Sequence, residues 1–331
     1  MAVNLPPQYH DAEARFKKAK TTEEKLVALR EMWVILPKHK ASEKVQMLLK
    51  TKISELTDQQ EQEASGPKKG GGPSYRIPKQ GAGTLVLLGP PNSGKSSLLA
   101  ALTKAKPEIA AYPFTTREPI PGMMDFENIR LQLIDLPPVT ADHYEHFITD
   151  ITRSADAALL FLDLASDDGP AETQATLDRL AKARRRLVKE RPAEEDPTEY
   201  SLPTFVVATK SDDDAADLRL EIAREWLADR WPVAVVSAEK GTGLEALRKQ
   251  CFDVLRLIRV QPKQPGKPVD SSGPPFTCPI GSTVAEFAGY VHTDFEEQLK
   301  SARLWRAGSF DGLAVGRDQV LQENDIVELH L

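Results

Sequence analysis

The apolar stretch Gly83–Leu88, GTLVLL, runs directly into Gly89–Ser97, GPPNSGKSS, and then into Leu98–Leu102, LLAAL. An apolar strand, a glycine-bounded turn and a Lys-Ser pair opening a helix make the strand–GxxxxGK[ST]–helix pattern of a phosphate-binding loop. Each residue type in it has a physical reason. Gly89 and Gly94 let the backbone curl until successive N–H groups point inward at a polyphosphate. Lys95 brings a positive point charge to the outer phosphates, the helix N-terminus adds its dipole, and Ser96 offers a hydroxyl to Mg²⁺. Pro90, Pro91, Asn92 and Ser93 fill the turn, and Ser97 lies in the first helical turn. All nine residues from Gly89 to Ser97 are therefore candidate ligand contacts.

Outward from this loop, residues 83–256 alternate strand and helix, which predicts an α/β domain with a mostly parallel sheet and helices on both faces. The expected strands after the first are Asn128–Asp135 (NIRLQLID), Ala157–Leu164 (AALLFLDL), Phe205–Ala208 and Val233–Val236. Helix-like stretches fall near 141–154, 171–190, 215–229 and 243–257. Within the third of these strand–helix units the run Lys182–Arg191, KARRRLVKER, reads as the basic, solvated face of a helix.

Three strand ends carry further chemistry. Asp135 closes its strand opposite the loop, where a carboxylate can hold Mg²⁺ through water. Thr209-Lys210-Ser211-Asp212 closes the Phe205 strand and has the form of an [NT]KxD base-reading motif. A carboxylate at Asp212 accepts from guanine N1–H and N2–H₂ together, whereas adenine would leave it facing an acceptor and an unmet pair. Lys210 can lay its aliphatic stem over the base. Ser237-Ala238, at the end of the last strand, fits a backbone N–H donating to guanine O6. Open parallel sheets bind ligands at the carboxyl ends of their strands, which is where all of these fall.

The rest of the chain frames this domain. At 331 residues it is long enough for two or three domains, and 40% hydrophobic with 28% charged residues is ordinary for a globular protein. Two cysteines, Cys251 and Cys278, make no disulfide framework and have no metal-ligand neighbours. There is no apolar run of membrane-spanning length and no apolar signal core in MAVNLPPQYH, so a cytoplasmic protein without a membrane partner is expected. The net charge of −6 is uneven: residues 1–80 hold 15 Lys/Arg against 10 Asp/Glu, a balance of +5 that leaves −11 for the remainder. That basic arm suits either phosphate or a solvated helical surface.

Residues 8–62 read as helical. Thr21-Thr-Glu-Glu24 forms a capping box, Leu26, Leu29, Trp33 and Leu36 form one stripe, and Val45, Leu49, Ile53 and Leu56 form another after the break at Pro37. The stripes predict an N-terminal helical hairpin over residues 1–64. Lys38, Lys40, Lys44, Lys50 and Lys52 are left for solvent or phosphate. Residues 65–82, SGPKKGGGPSYRIPKQGA, form a basic linker rich in glycine and proline.

Taken together, LVLLGPPNSGKSSLL, Ala111–Thr116 (AYPFTT), Asp135-Leu-Pro137, TKSD and SAEKGTGL resemble the Obg superfamily of GTPases, and in particular its developmentally regulated GTP-binding branch. Residues 257–331 resemble a TGS domain, a small β-grasp fold. FTCPIGSTV (276–284), Ala302–Trp305, Phe310–Gly312, Val315–Asp318 and NDIVELHL (324–331) carry that match. The hairpin sequence Ile35–Lys40 is also similar to helical extensions in this branch.

The resemblance implies a P-loop GTPase that binds GTP and GDP with Mg²⁺. Lys95 would be catalytic, and either Thr115 or Thr116 would be the switch threonine closing on Mg²⁺ and the γ-phosphate. It places Asn92 where potassium-stimulated relatives carry a K⁺ ligand; the alternative is that Asn92 caps a turn. It also implies action on a ribosome or another RNA machine. The TGS residues lean acidic, which suits a protein partner at least as well as RNA. One departure stands out: the family pattern DxPG is here Asp135-Leu136-Pro137-Pro138. Proline lacks the N–H that the glycine donates to the γ-phosphate, and its φ is fixed. The Gly-rich stretch that usually follows is replaced by Val139–Tyr144. Binding should survive this departure better than switching or hydrolysis. Two readings follow, a slow GTPase and a pseudo-GTPase adaptor that binds nucleotide structurally and recognises RNA or protein through its hairpin and TGS domain. Asp212 and Ala238 argue against a third, a P-loop ATPase or kinase.

Overall fold

A computed structural model describes residues 7–19, 22–36, 47–53, 56, 77–104, 118–194, 196–269, 273–306 and 312–331. The chain divides into two compact units. The smaller holds residues 1–75 together with 184–186 and 192–201, and the larger holds the remaining residues from Arg76 to Leu331.

In the smaller unit, α1 (Pro7–Lys18) and α2 (Thr22–Ile35) are followed by a helical segment at 47–53. Leu26, Leu29 and Leu36 of the first expected stripe and Leu49 and Ile53 of the second are buried together. Tyr9 and Ala12 of α1 join the same cluster. The hairpin's two stripes thus share their core with a preceding helix. Thr21, Pro37 and the lysines at 38, 40, 44, 68 and 69 lie outside the described residues.

The strands that follow are β1 (Thr84–Leu88), β2 (Ile120–Phe126), β3 (Ile129–Asp135), β4 (Ala157–Asp163), β5 (Arg185–Val188), β6 (Tyr200–Thr209) and β7 (Val233–Val235). They form a sheet in the order β2-β3-β1-β4-β6-β5, with β7 also paired to β6. β1, β3, β4, β6 and β7 run parallel, while β2 is antiparallel to β3. β1 and β4 are buried at every position, as expected of central parallel strands covered on both faces. Leu85 and Leu87 face Leu98, Leu99 and Leu102 of α3 (Lys95–Leu102) and Leu247 of a later helix, α7 (Leu244–Asp253). The opposite face is covered by α4 (His146–Ser154) on β1 and α5 (Gly169–Lys182) on β4, and α6 (Ala216–Leu227) separates β6 from β7.

Two local expectations change. The run Lys182–Arg191 is not one helical face: α5 stops at Lys182, Arg184 takes a left-handed φ of 56°, and Arg185–Val188 is a strand. Arg185 and Leu187 are buried and Arg186 is exposed, a period of two hidden by arginine density. The Arg185 guanidinium lies 5.7 Å from the Tyr200 ring, which gives the buried cation a partner. The sheet also gains β2, whose sequence IPGMMDF carries a proline and a glycine and so reads poorly as a strand.

The C-terminal domain is a second sheet, β11-β10-β12-β8-β9, made from β8 (Leu257–Lys263), β9 (Phe276–Pro279), β10 (Ser301–Trp305), β11 (Leu313–Val315) and β12 (Asp325–His330). β12 pairs parallel with β8 and antiparallel with β10. The helix α8 (Val284–Val291) packs Val284, Phe287 and Ala288 into its core. A capping box between Thr283 and Glu286 starts that helix. This is the expected β-grasp arrangement. Arg259 of β8 holds the sheet to the first domain. Its guanidinium donates to Glu127 and to Asn128 Oδ1 (2.9 Å) at the β2–β3 turn, and to Glu323 Oε1 (2.6 Å) of its own domain. It also lies 5.8 Å from the Phe126 ring and 5.3 Å from Phe252.

Cys251 and Cys278 are free and buried, and burial pushes their thiols up to about 12 and about 11. Among the described residues no helix is long and apolar enough to cross a membrane.

Candidate functional site

The parallel strands bring Gly89 after β1, Asp135 closing β3, Asp163 closing β4, Thr209 closing β6 and Ser237 just beyond β7 to the carboxyl edge of one sheet. The loop between Gly89 and Lys95 is built around its lysine. Lys95 is buried and donates to the carbonyls of Gly89 (3.1 Å) and Pro90 (2.7 Å). Ser93 Oγ donates to the same Pro90 carbonyl at 2.8 Å. Burial lowers the Lys95 ammonium to a pKa of about 8, opposed by the Asp135 carboxylate. Gly94 has φ 85°, a left-handed conformation that opens the helix at Lys95 and turns its first N–H groups toward the loop. Gly89 must be small for a different reason, since a Cβ there would sit 2.8 Å from Phe161 Cβ. Pro91 and Asn92 form the outer turn, Asn92 exposed with φ 58°, and Ser97 is half-buried in the first turn of α3.

Ser96 Oγ donates to Asp135 Oδ2 at 2.5 Å. A hydroxyl and a carboxylate this close supply two hard oxygens next to the loop, a donor set that fits Mg²⁺. After Asp135 the chain does not lift away: Leu136, Pro137, Pro138 and Val139 are all buried. The Val139 N–H donates to the Gly89 carbonyl (3.2 Å), and its own carbonyl accepts from Thr176 Oγ1 (2.7 Å).

At the other end of the site, Thr209 Oγ1 donates to the Ser93 carbonyl at 2.8 Å, tying the TKSD loop to the phosphate-binding loop. Lys210 has φ 57° and its ammonium pairs with Asp163. The Ser237 hydroxyl donates to Asp212, which with the backbone N–H of Asp212 itself and nearby Lys240 holds that carboxyl below its ordinary range. Asp212 is therefore an ionised acceptor. Ser237 Oγ accepts in turn from the Lys240 N–H (3.0 Å), and Ala238 packs against the domain core. The Gly89–Ser97 loop, the TKSD loop and Ser237-Ala238 thus meet at one edge, while Thr115 and Thr116 lie outside the described residues. Two residues at this edge were not anticipated, Asp163 and Arg219. An acid ending the apolar run AALLFLD was the available signal for the first; Arg219 had none.

Residues 84–202 match the family of 50S ribosome-binding GTPases, and residues 258–331 match the TGS domain. The chain thus carries a match to a GTPase domain followed by a match to a TGS domain. Its relatives along almost its whole length are distant. An uncharacterized GTP-binding protein of Methanocaldococcus jannaschii is 27% identical, the alignment covering 93% of this chain and 92% of that one. Developmentally-regulated G-protein 1 of Arabidopsis thaliana is 26% identical over 88% of this chain and 87% of its own. GTPase Obg of Akkermansia muciniphila is 33% identical over 51% of this chain and 47% of its own. A solved GTP-binding protein from Pyrococcus horikoshii matches 75% of this chain and 99% of its own at 17% identity, with a TM-score of 0.47. The resemblance to Obg-type GTPases and their developmentally regulated branch thus holds.

Proposed function

We propose that the protein binds GTP and GDP at this edge and hydrolyses GTP slowly, in the cytoplasm and on a ribosome or another RNA-containing particle. The observation that carries the reading is the convergence of five separate strand ends on one site, with a lysine-centred phosphate loop at one side and an ionised Asp212 at the other. In it, Gly89–Ser97 cradle the phosphates and Lys95 faces the outer ones. Thr209 holds the two loops together, Lys210 lies over the base, Asp212 accepts from the guanine edge, and Ser237-Ala238 supply the last contacts. Ser96 and Asp135 would hold Mg²⁺, with Thr115 or Thr116 joining them; the ion's contribution is to neutralise charge on the phosphates. Asn92 would ligate K⁺. Its left-handed backbone also suits asparagine as a turn residue, and turnover in K⁺ against Na⁺ decides between the two.

Slow turnover is inferred from the buried segment after Asp135. Pro138 has no N–H, and Val139 is bonded on both sides, so this stretch is poorly built to follow the γ-phosphate. The same observation supports the second reading, an adaptor that binds nucleotide without turning it over. Action on RNA draws on the family description of its GTPase domain and on the basic N-terminal residues. The test is binding of GTP, GDP and ATP, with single-turnover hydrolysis of bound GTP. Hydrolysis separates the enzyme from the adaptor, and equal ATP affinity overturns both. Co-sedimentation with ribosomal particles at increasing salt tests the partner. A truncation lacking residues 1–80 should show a flatter logarithmic salt slope, because fewer phosphates are neutralised.

A further inference from the structure

The guanine-reading loop is held by a carboxylate that belongs to a different strand. Asp163 closes β4, and its side chain is only 7% exposed. A buried carboxylate is costly unless its oxygens are used. Here both are: Oδ1 accepts the Ala165 N–H at 2.8 Å, and Oδ2 takes the ammonium of Lys210. Lys210 occupies the left-handed region at φ 57°, where a lysine stays only if its surroundings over-determine it. On one side Thr209 is bonded to the phosphate loop through Ser93. On the other, Arg219 donates to the Leu164 carbonyl (3.0 Å), to Asp167 Oδ1 (2.7 Å) and to Asp213 Oδ1 (2.7 Å). The loop from Thr209 to Asp213 is therefore tied to segment 163–167 at two points that flank Asp212.

We infer that Asp163 is a positioning residue for guanine recognition: by holding the Lys210 ammonium it fixes the Lys210 stem across the base position and keeps Asp212 in register with the guanine edge. This rests on the reading of the site as a guanine-nucleotide site. Asp163 acts on the base end alone, because its partners are Lys210 and the backbone of Ala165, and none belongs to the phosphate loop.

The experiment measures GDP and inorganic pyrophosphate affinity for the full chain and for Asp163→Asn, Asp163→Glu, Lys210→Met and the Asp163→Asn/Lys210→Met pair. Asp163→Asn should bind GDP about ten-fold more weakly, the scale of one charge-assisted hydrogen bond, with pyrophosphate affinity unchanged. Lys210→Met keeps the stem and deletes the ammonium, so it should lose a similar factor. The double variant should lose no more than either single one. Asp163→Glu should recover most of the loss. Undiminished GDP affinity in Asp163→Asn overturns the proposal, as do additive losses in the pair or a parallel loss of pyrophosphate. If Asp163→Asn does not fold, Lys210→Met alone carries the test, and full GDP affinity there overturns it. Failure of the parent chain to bind GDP would instead remove the nucleotide reading itself.

Discussion

The backbone N–H of Val139 donates to the carbonyl oxygen of Gly89, 3.2 Å away, so the chain leaving Asp135 is fastened to the first residue of the phosphate loop. The Gly89 carbonyl also accepts from Lys95 Nζ at 3.1 Å. One acceptor thereby joins the lysine of the loop and the segment that carries Pro138. With Thr176 holding the Val139 carbonyl, the segment is pinned from both sides.

The first prediction concerns that segment. A missing N–H to the γ-phosphate forgoes roughly 1.5–3 kcal/mol, about one to two decades in affinity. The parent chain should therefore separate GTP from GDP weakly and turn over slowly. Pro138→Gly should raise GTP preference, with a smaller gain in turnover because Val139 stays bonded. Paired GTP and GDP affinities with turnover rates check it; strong GTP preference in the parent chain would sink it.

Guanine specificity should follow Asp212. Asp212→Asn places an amide donor against guanine N1–H or N2–H₂, and xanthine, with a carbonyl at position 2, should become the preferred base. Competition of GDP against XDP reads this out, and unchanged GDP affinity would remove Asp212 from the base contact.

Loss of the Ser96 hydroxyl should be felt through the metal. Ser96→Ala should lower triphosphate affinity in Mg²⁺ and change it little in EDTA. A variant with the parent's Mg²⁺ dependence would show that the Ser96–Asp135 pair holds no ion.

Lys95 makes two opposite pH dependences. Its folded pKa, about 8, is below that of an unfolded lysine. Between the two values the unfolded chain binds more protons, so the nucleotide-free protein should gain stability as pH rises through 8 toward 10. Triphosphate binding needs the ammonium, and its affinity should fall over the same range by up to about ten-fold per unit. Melting curves and titrations at pH 7, 8 and 9 test both signs; Lys95→Met should abolish both trends.

Arg259 should govern how the TGS domain stays on the GTPase domain. Its side chain is 8% exposed, whereas its partners Glu127 and Glu323 are 60% and 36% exposed. Arg259→Met leaves those carboxylates in water, so the cost is the lost charged hydrogen bonds, about 1.5–3 kcal/mol. Glu127→Gln should cost well under 1 kcal/mol, because exposed pairs contribute little. Calorimetry on the full chain checks the ranking, and equal losses would assign the tie to packing alone.

How much of this was legible beforehand depends on distance along the chain. GPPNSGKSS, the acid at Asp135, TKSD and Ser237-Ala238 are short, and each specifies a backbone shape over a few residues next to an apolar run. A glycine with φ 85° or a strand ending in an acid needs no distant partner to be read. The β-grasp domain was expected from the resemblance of residues 257–331 to a TGS domain, and its capping box at Thr283 and Glu286 came with the structure. The exceptions are local signals that point the wrong way. Arginine density in KARRRLVKER hides the strand Arg185–Val188, and proline and glycine hide β2. What the tertiary structure alone decided are pairs far apart in sequence: Asp163 with Lys210, 47 residues on, Glu127 with Arg259, 132 residues on, and Val139 with Gly89. Each needs a buried setting where a charge or an N–H must find a partner. Which partner it finds is settled only when the strands have packed and water has been excluded.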